Sequence, residues 1–297
     1  MTPKVVVLMS TYNGEKYLRH QIDTILNQTW ENLELFVRDD GSKDSTLDIL
    51  EEYSTKYPNV TYVKGENVGS NQSFLESLKI APDADYYSLA DQDDDWMPEK
   101  IAHAVGKIQS GNYMIYCGNK RQVDNDLQPL PNQTYSTHRP AFQNAVIENI
   151  CTGCTMLITK ELRDLVKDKL PKHPIYHDWW LYLVGTYYGD VYFDTEPFIN
   201  YRQHGGNQVG ATVGFTERLK VEIEFFKKQR GMLRDQLTEF HEYYHGNKEK
   251  DSLVESLLND TKRFGGSLKF VFGNKVFRQS SFEGLAVKVL FLFHQMI

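Results

Sequence analysis

An acidic run, ADQDDDW, places four carboxylates within the five positions Asp91 to Asp95. Carboxylates this close together repel one another unless a cation neutralises them, and hard divalent cations prefer oxygen ligands. Mg²⁺ commonly keeps positions open for water and substrate phosphates. The run therefore predicts a Mg²⁺ or Mn²⁺ site that also binds a diphosphate. The alternative is a solvated acidic loop, or a set of helix caps before Pro98.

A second acidic cluster, DDGSKDST, covers Asp39 to Thr46. Helix capping accounts for Ser42 to Thr46, because Ser and Asp are common N-cap residues. It does not account for Asp39 and Asp40, which precede the turn at Gly41. A carboxylate there could accept the imide N–H of uracil or thymine, and the alternative is a polar turn.

The segments around these clusters alternate between two periodicities. Apolar runs of strand length alternate with stretches in which apolar residues recur at helical spacing. This order predicts a doubly wound α/β sheet, whose ligands bind beyond the carboxyl ends of its strands. Polar clusters follow each strand at 10–13, 39–44, 66–70 and 91–95. We predict strands at 4–10, 33–37, 60–63 and 86–90, and helices at 15–28, 45–57 and 72–80.

The pattern is less regular beyond residue 110. Strands are predicted at Met114–Cys117 and Thr155–Thr159, and a helix begins near Asp178. From Thr216 the sequence is helical and amphipathic, with breaks at glycines. We expect a catalytic domain over 1–213, divided into a nucleotide-binding half (1–100) and an acceptor half (101–213), and a helical C-terminal region over 214–297. The predicted breaks are Gly246, Gly265, Gly266 and Gly273.

The composition is that of an ordinary globular protein, with 40% hydrophobic and 25% charged residues and a formal net charge of -7. An acidic chain argues against nucleic acid as the main partner. Three cysteines are too few for a disulfide framework, which favours a reducing compartment such as the cytoplasm. Cys151 and Cys154 form a C-x-x-C without the second pair that a structural zinc site requires. We expect neither a signal peptide nor a membrane-spanning run.

Four motifs occur in order along the chain: STYNGEKYL at 10–18, VRDDGSKDST at 37–46, ENVG at 66–69 and ADQDDDWMPEK at 90–100. Together they resemble the family-2 glycosyltransferases with the GT-A fold, and most of all bacterial rhamnosyltransferase-like members that build cell-wall or capsular polysaccharide. The resemblance covers roughly residues 3–210. It implies a Rossmann-like, mostly parallel mixed sheet with helices on both faces, and a Mn²⁺ or Mg²⁺ cofactor.

The resemblance also implies roles for individual residues. Asp91 and Asp93 would form the D-x-D element, with Asp93 as direct metal ligand and Asp91 as a partner for ribose or metal. Asp94 and Asp95 permit other registers. Arg202 and His204 belong to a segment near the diphosphate, where either could neutralise phosphate and His204 could bind the metal. The implied nucleotide-binding residues are Ser10, Thr11, Tyr12, Asp40, Asn67, Asp91 and Arg202.

Asp178 is the candidate for the catalytic base. A sugar hydroxyl is too weakly acidic to attack at pH 7 without a base, and Asp178 in YHDWWL occupies the place where the family has a carboxylate opening a helix. The alternative is an N-cap. Trp179 and Trp180 are the candidate acceptor residues, and we expect one to face the core and the other to stack on a sugar ring.

The expected activity is inverting glycosyl transfer from a nucleotide-diphosphate sugar to a glycan or lipid-linked saccharide acceptor. By resemblance, the donor is dTDP-β-L-rhamnose and the acceptor a polysaccharide precursor. A UDP-hexose donor is an alternative, as is a non-catalytic sugar-nucleotide or glycan-binding module. Nucleotidyl transfer would also use acids with Mg²⁺, but STYNGEKY lacks its usual Gly-rich, basic phosphate loop.

The C-terminal stretch combines basic residues with aromatic and aliphatic ones. Such a segment can lie on an anionic membrane, where each basic residue contributes on the order of 1 kcal/mol. The same pattern also describes a helix that packs on the catalytic domain or forms a homodimer, so both readings stay open. A membrane reading would place the protein at the inner face of the cell membrane. The basic residues are Lys262, Arg263, Lys269, Lys275, Arg278 and Lys288, and the apolar ones Phe264, Phe270, Phe272, Phe277, Leu290, Phe291, Leu292 and Phe293.

Overall fold

The computed structural model describes residues 2–172, 174–203, 231–260 and 276–280. Its first ninety residues alternate strands and helices as the sequence predicts. The parallel strands arise because runs such as VVVLM bury both faces, which requires helices on each side of the sheet. The elements are β1 (Val5–Thr11), α1 (Leu18–Leu26), β2 (Leu33–Asp39), α2 (Thr46–Lys56), β3 (Val60–Lys64), α3 (Ser70–Ile80) and β4 (Tyr86–Ala90).

These strands belong to a seven-stranded sheet that continues with β6 (Tyr113–Gly118), β8 (Leu157–Thr159) and β9 (Asp190–Asp194), in the order β3-β2-β1-β4-β8-β6-β9. β1 pairs in parallel with both β2 and β4, and β2 with β3. β8 runs antiparallel to both of its neighbours, β4 and β6. The first four strands therefore end at one edge of the sheet.

A small second sheet has the order β5-β10-β7 and was not predicted from the sequence. Its strands β5 (Asp95–Trp96), β7 (Arg121–Val123) and β10 (Ile199–Arg202) are two to four residues long. β5 begins at Asp95, the last residue of the acidic run, so this sheet holds the run from its C-terminal side. Two further helices, α4 (Lys100–Gln109) and α6 (Lys160–Val166), are also additions to the predicted elements.

The chain divides into two compact units that interleave in sequence, whereas we expected one cut after residue 213. The first consists of Met1–Thr137, Cys151–Leu170 and Tyr188–Asn207 and contains both sheets. The second consists of His138–Ile150, Pro171–Tyr187 and Gln208–Ile297. Its described elements are helices, namely α5 (Phe142–Ala145), α7 (His177–Tyr188, whose last residue belongs to the first unit), α8 (Met232–Tyr243) and α9 (Lys248–Asp260).

Helix α7 corrects the expectation for the two tryptophans, because Trp179 and Trp180 are both buried, at 4% and 0% exposure. The helix is enclosed on nearly all sides, with ten of its twelve residues buried, so adjacent positions can both face protein. Trp179 donates its indole N–H to the Ala145 carbonyl at 2.7 Å. Trp180 makes edge-on contacts with the rings of Phe240 and Tyr243. As placed here, neither indole offers a face to a sugar.

The predicted helix break at Gly246 is confirmed, because this residue has φ 120 and lies between α8 and α9. Gly265, Gly266 and Gly273 lie outside the described residues, as do most of the basic and aromatic residues near the C-terminus. Of that set, Phe277 and Arg278 are described, and the Nε of Arg278 lies 3.3 Å from a carboxylate oxygen of Glu148. Among the described residues, no helix has both the length and the apolar character needed to cross a membrane.

Candidate active site

Hydrogen bonds join the loops that follow β1 and β2. The backbone N–H of Asn13 donates to Ser42 Oγ at 2.9 Å, and the Asn13 side chain accepts from the N–H of Lys43 at 2.9 Å. The N–H of Gly14 donates to Thr46 Oγ1 at 2.8 Å. The polar clusters after these strands thus form one connected surface, as the sequence predicts for the carboxyl edge of a parallel sheet.

Gln92 ties the β1 loop to the acidic run after β4. Its side-chain oxygen accepts from the N–H of Tyr12 at 2.9 Å, and its amide donates to the Tyr12 carbonyl at 3.1 Å. Gly14 makes room for this contact, since a Cβ at that position would lie 2.3 Å from the Gln92 oxygen. Tyr12 stays 45% exposed. It is therefore available to stack on a planar group, whereas the neighbouring Thr11 is fully buried.

Asp39 shapes the turn that follows β2. One carboxylate oxygen accepts from the N–H groups of Gly41 and Ser42 at 3.1 and 2.9 Å. The other accepts from Thr11 Oγ1 at 3.0 Å and Ser42 Oγ at 2.5 Å. Gly41 adopts φ 83, a left-handed conformation that glycine reaches without strain. Asp39 is thus the structural member of the acidic pair.

Asp40 binds the loop that follows β3. It is 2% exposed, and its carboxylate accepts from the N–H groups of Val68 and Gly69 at 2.9–3.2 Å. Arg38 Nη1 donates to it at 2.6 Å. Base recognition by Asp40 stays a prediction, and a base imide would have to share an oxygen that already accepts these bonds. Exposed groups beside it are Asn67 and Val68, which lie on the loop that Asp40 holds.

The acidic run provides a candidate metal centre. Carboxylate oxygens of Asp91 and Asp94 and the Sγ of Cys154 all lie within 4.8 Å of one another. Asp94 is 1% exposed; its Oδ1 accepts from the N–H of Arg202 at 3.1 Å, and its Oδ2 has no hydrogen-bond partner among the described residues. Burial, followed by the charges of Asp91 and Asp93, raises the pKa of Asp94 well above its ordinary value.

This arrangement fits a divalent cation. A buried carboxylate oxygen without a partner costs free energy that a bound cation would recover. Asp91 and Asp94 supply hard oxygen atoms, the type that Mg²⁺ and Mn²⁺ prefer. Cys154 is a poor ligand for such ions, because burial raises its thiol pKa and keeps the proton on sulfur. Asp93 as direct ligand, implied by the resemblance, stays a prediction.

Asp95 has a separate role within the same run. Its Oδ1 lies 2.8 Å from His20 Nε2 and its Oδ2 accepts from the Asn200 amide at 2.6 Å. These contacts join β5 to α1 and β10. Asp95 therefore anchors the run and is not part of the carboxylate group formed with Cys154.

Arg202 lies beneath the acidic run and is 4% exposed. Its Nε donates to the carbonyl of Asp93 at 2.8 Å, and its Nη1 donates to the carbonyl of Asn125. These two side-chain hydrogen bonds are with protein carbonyls, and a contact with phosphate stays a prediction. His204, the other residue implied for this segment, lies outside the described residues.

Two lysines that sequence reasoning missed add positive charge near the carboxylates. Lys120 places its ammonium group 3.9 Å from the centre of the Tyr201 ring, and its charge opposes the rise in the pKa of Asp94. Lys100 is 2% exposed, lies 3.6 Å from the centre of the Trp96 ring and donates to Ser88 Oγ at 3.3 Å. The sequence signal for Lys100 is its place in MPEK, at the start of a helix.

Lys100 gives the metal-free protein a specific pH dependence. Burial lowers its pKa from 10.5 to about 7, and the nearby acidic groups Cys154 and Asp94 only partly oppose this. Between these values the unfolded chain keeps a proton that the folded chain has released, so the free energy of unfolding rises with pH. Below pH 7 Lys100 is protonated in both states, and the folded protein bears the full cost of burying its charge, at most about 5 kcal/mol.

We therefore expect the Lys100→Met variant to be more stable relative to wild type at pH 6 than at pH 10. The difference in free energy of unfolding between the two proteins should narrow mainly between pH 7 and 10.5. Over this range the wild type gains stability as pH rises, whereas methionine has no proton to release. Denaturant unfolding with EDTA present at pH 6, 7, 8, 9 and 10 measures it. If the free energies of unfolding of the two proteins changed with pH in parallel, Lys100 would be shown to keep its proton throughout.

Asp178 lies in the first turn of α7, in the second unit, and is half-buried. Asn149 donates its amide to Asp178 Oδ1 at 2.9 Å. The preceding His177 is buried, which lowers its pKa despite the nearby Asp178 charge, so it favours the neutral form. One oriented carboxylate at a helix start is compatible with both alternatives, a base and an N-terminal charge.

Comparisons with known proteins identify the family. The family model described as Glycosyl transferase family 2 matches residues 6–166, more than half of the chain. The match includes all four polar loops and the carboxylate group described above. The chain belongs to glycosyl transferase family 2. It is therefore a glycosyltransferase, and the expected family is confirmed.

Curated relatives agree with this family. The dTDP-rhamnosyl transferase RfbG of Shigella flexneri is 29% identical over 238 residues, covering 74% of this chain and 81% of that protein. An uncharacterized glycosyltransferase of Rickettsia typhi is 27% identical over 290 residues, covering 91% of this chain and 89% of the relative.

Solved structures confirm the GT-A fold. TarS 1-349 of S. aureus in complex with UDP-GlcNAc has a TM-score of 0.62 and 15% identity, covering 99% of this chain and 82% of that one. The mannosyltransferase PcManGT of Pyrobaculum calidifontis, in complex with GDP-Man and Mn2+, has a TM-score of 0.55 and 16% identity, covering 99% and 75%. The seven-stranded sheet and its flanking helices are thus those of a GT-A glycosyltransferase.

Proposed function

We propose that this family-2 glycosyltransferase transfers L-rhamnose, with inversion, from dTDP-β-L-rhamnose to a hydroxyl of a lipid-linked cell-wall or capsular polysaccharide precursor. The observation that carries transfer from a nucleotide sugar is the pair Asp91 and Asp94, one of them buried with an unpartnered oxygen, at the sheet edge beside an exposed Tyr12. The name of the Shigella flexneri relative supports rhamnose as the sugar.

In the proposed reaction, the acceptor oxygen forms a bond to the anomeric carbon as the bond from that carbon to the diphosphate breaks. Asp178 takes the acceptor proton, and the nucleoside diphosphate leaves with the bonding electrons. A β-linked donor therefore gives an α-rhamnoside. Tyr12 would stack on the base, while Asp40 and Asn67 would form the rest of the nucleoside pocket.

Asp91 and Asp94 would hold Mn²⁺ or Mg²⁺, with Asp93 and His204 as further ligands implied by the family. Such an ion supplies positive charge that stabilises the departing diphosphate. The protein's own contribution is to keep these carboxylates together at the end of β4. We also propose a reducing compartment, the cytoplasm, because three cysteines are too few for a disulfide framework.

A UDP-hexose donor is the second candidate, because the TarS structure contains UDP-GlcNAc. The test is release of nucleoside diphosphate from dTDP-β-L-rhamnose, UDP-glucose, UDP-GlcNAc and GDP-mannose, each with Mn²⁺ and with EDTA. We expect the largest rate with dTDP-β-L-rhamnose, and an acceptor should raise it further. A larger rate with a UDP-hexose would replace the donor, and binding without release from any donor would favour a non-catalytic module.

A further inference from the structure

We propose that Arg202 is a positioning residue that holds the acidic run in its metal-binding conformation. This differs from the role that the sequence suggests, a cation that contacts the departing diphosphate. The proposal rests on the proposed function, because it requires a metal bound by Asp91 and Asp94. It is carried by the hydrogen bonds and the ring contact that Arg202 makes with other groups of the first unit.

Arg202 binds two consecutive residues of the run at once. Its backbone N–H donates to Asp94 Oδ1 at 3.1 Å, and its side-chain Nε donates to the Asp93 carbonyl at 2.8 Å. The first bond fixes one oxygen of the buried carboxylate and leaves the other, Oδ2, for a cation. The second fixes the backbone between Asp93 and Asp94. Together they set the direction in which the Asp94 carboxylate points.

The guanidinium is itself held by two other parts of the first unit. Its Nη1 donates to the Asn125 carbonyl, and its central carbon lies 4.7 Å from the centre of the Tyr17 ring. The Tyr17 hydroxyl donates to Asn125 Oδ1 at 2.8 Å, which closes the arrangement. Arg202 in β10 therefore links the acidic run to the start of α1 and to the turn after β7.

Lysine cannot reproduce this geometry. Arginine donates from a rigid planar group to carbonyls in two directions and stacks on an aromatic face, whereas lysine carries a compact charge on a flexible chain. Arg202→Lys keeps the positive charge, so it separates charge from position. Residues that orient metal ligands without touching the metal commonly change metal affinity by about 10–100-fold when replaced.

The test compares two titrations for wild type and Arg202→Lys. At saturating donor, we expect the Mn²⁺ concentration for half-maximal activity to rise by about 10–100-fold. At saturating Mn²⁺, kcat and the donor KM should stay within about threefold of wild type. The reverse result, a raised donor KM or a lowered kcat with an unchanged Mn²⁺ requirement, would show a phosphate contact and overturn the proposal.

Arg163→Lys is the matched control. Arg163 is also 4% exposed, donates to the carbonyls of Leu78 and Ala81 at 3.0 and 2.9 Å, and lies 5.3 Å from the Tyr87 ring centre. It therefore shares the burial, the carbonyl bonds and the ring contact of Arg202, but its carbonyl partners lie outside the acidic run. It should lose comparable thermal stability without a change in the Mn²⁺ requirement. An equal shift in both variants would reduce the effect to general destabilisation and overturn the proposal.

Tyr17→Leu provides a second route to the same result if Arg202→Lys does not fold. It removes the ring that stacks on the guanidinium and the hydroxyl that binds Asn125, so the Mn²⁺ requirement should rise in the same direction by a smaller factor. An unchanged Mn²⁺ requirement in this folded variant would overturn the proposal.

The wild type separates the failure of this proposal from the failure of the metal site. If thermal shift shows no binding of Mn²⁺ in the presence of UDP or dTDP, and activity does not need Mn²⁺, both this proposal and the metal site are wrong. If the wild type needs Mn²⁺ and the Mn²⁺ requirement of the variants is the same as that of the wild type, this proposal alone is wrong.

Discussion

The Asp94→Asn variant should fold as stably as the wild type in EDTA and lose turnover by on the order of 10²–10³-fold in Mn²⁺. Asparagine has the same shape and keeps an oxygen that can accept from the N–H of Arg202. The substitution removes a buried carboxyl group whose pKa is raised by burial and by the charges of Asp91 and Asp93. The metal-free fold therefore loses a repulsion, while the site loses a ligand oxygen.

Thermal unfolding and activity together measure this result. Mn²⁺ with UDP or dTDP should raise the melting temperature of the wild type and leave that of Asp94→Asn nearly unchanged, because ligand binding to the folded state is what stabilises it. Asp95→Asn is the control, since it removes one negative charge from the same run. Its carboxylate serves His20 and Asn200, so we expect activity within about fivefold of wild type.

Asp93→Asn decides between the two registers of the acidic run. If Asp93 is the direct ligand, as the family resemblance implies, this variant should lose the Mn²⁺ response and Asp94→Asn should keep it. If Asp91 and Asp94 are the ligands, the reverse is expected. Full activity of the wild type in EDTA would contradict both registers.

The parallel half of the fold could be predicted from sequence because its signals are local. Buried strands such as β1 are continuous β-branched and aliphatic runs, and the intervening helices repeat their apolar residues at helical spacing. The small sheet gives no such signal. β5 has two residues, and it pairs with β10 about a hundred positions later through Asn200 and Asp95. Long-range pairing of short strands is set by tertiary structure alone.

The candidate site divides in the same way. The edge on which the polar clusters lie follows from strand direction, so the grouping of Tyr12, Asp40 and the acidic run was predictable. The partner of Asp94 was not, because Cys154 reaches it from a turn sixty residues later in the chain. Arginine is exposed at most positions in proteins, and the burial of Arg202 depends on carbonyl groups that a sequence motif does not show. The tryptophans were misjudged because a one-faced helix was assumed for α7.

Asp178→Asn should lower kcat by about 10²–10⁴-fold and leave the donor KM within about threefold, because a base acts in the chemical step and not in donor binding. The Asp178 carboxylate is already oriented by the Asn149 amide, and asparagine can keep the oxygen that accepts this bond. The variant thus removes the proton acceptor with little change in shape. Initial rates with varied donor and a fixed saturating acceptor measure both constants.

A purely structural role for Asp178 predicts a different result, which Asp235→Asn calibrates. Asp235 also lies in the first turn of a helix of the second unit, α8, and it is exposed. Removing a first-turn carboxylate costs about 0.3–1 kcal/mol through the helix dipole, so both variants should lose a similar, small amount of thermal stability. Only Asp178→Asn should lose turnover. Near-normal turnover in Asp178→Asn would assign Asp178 to the helix terminus, and another group would then have to accept the hydroxyl proton.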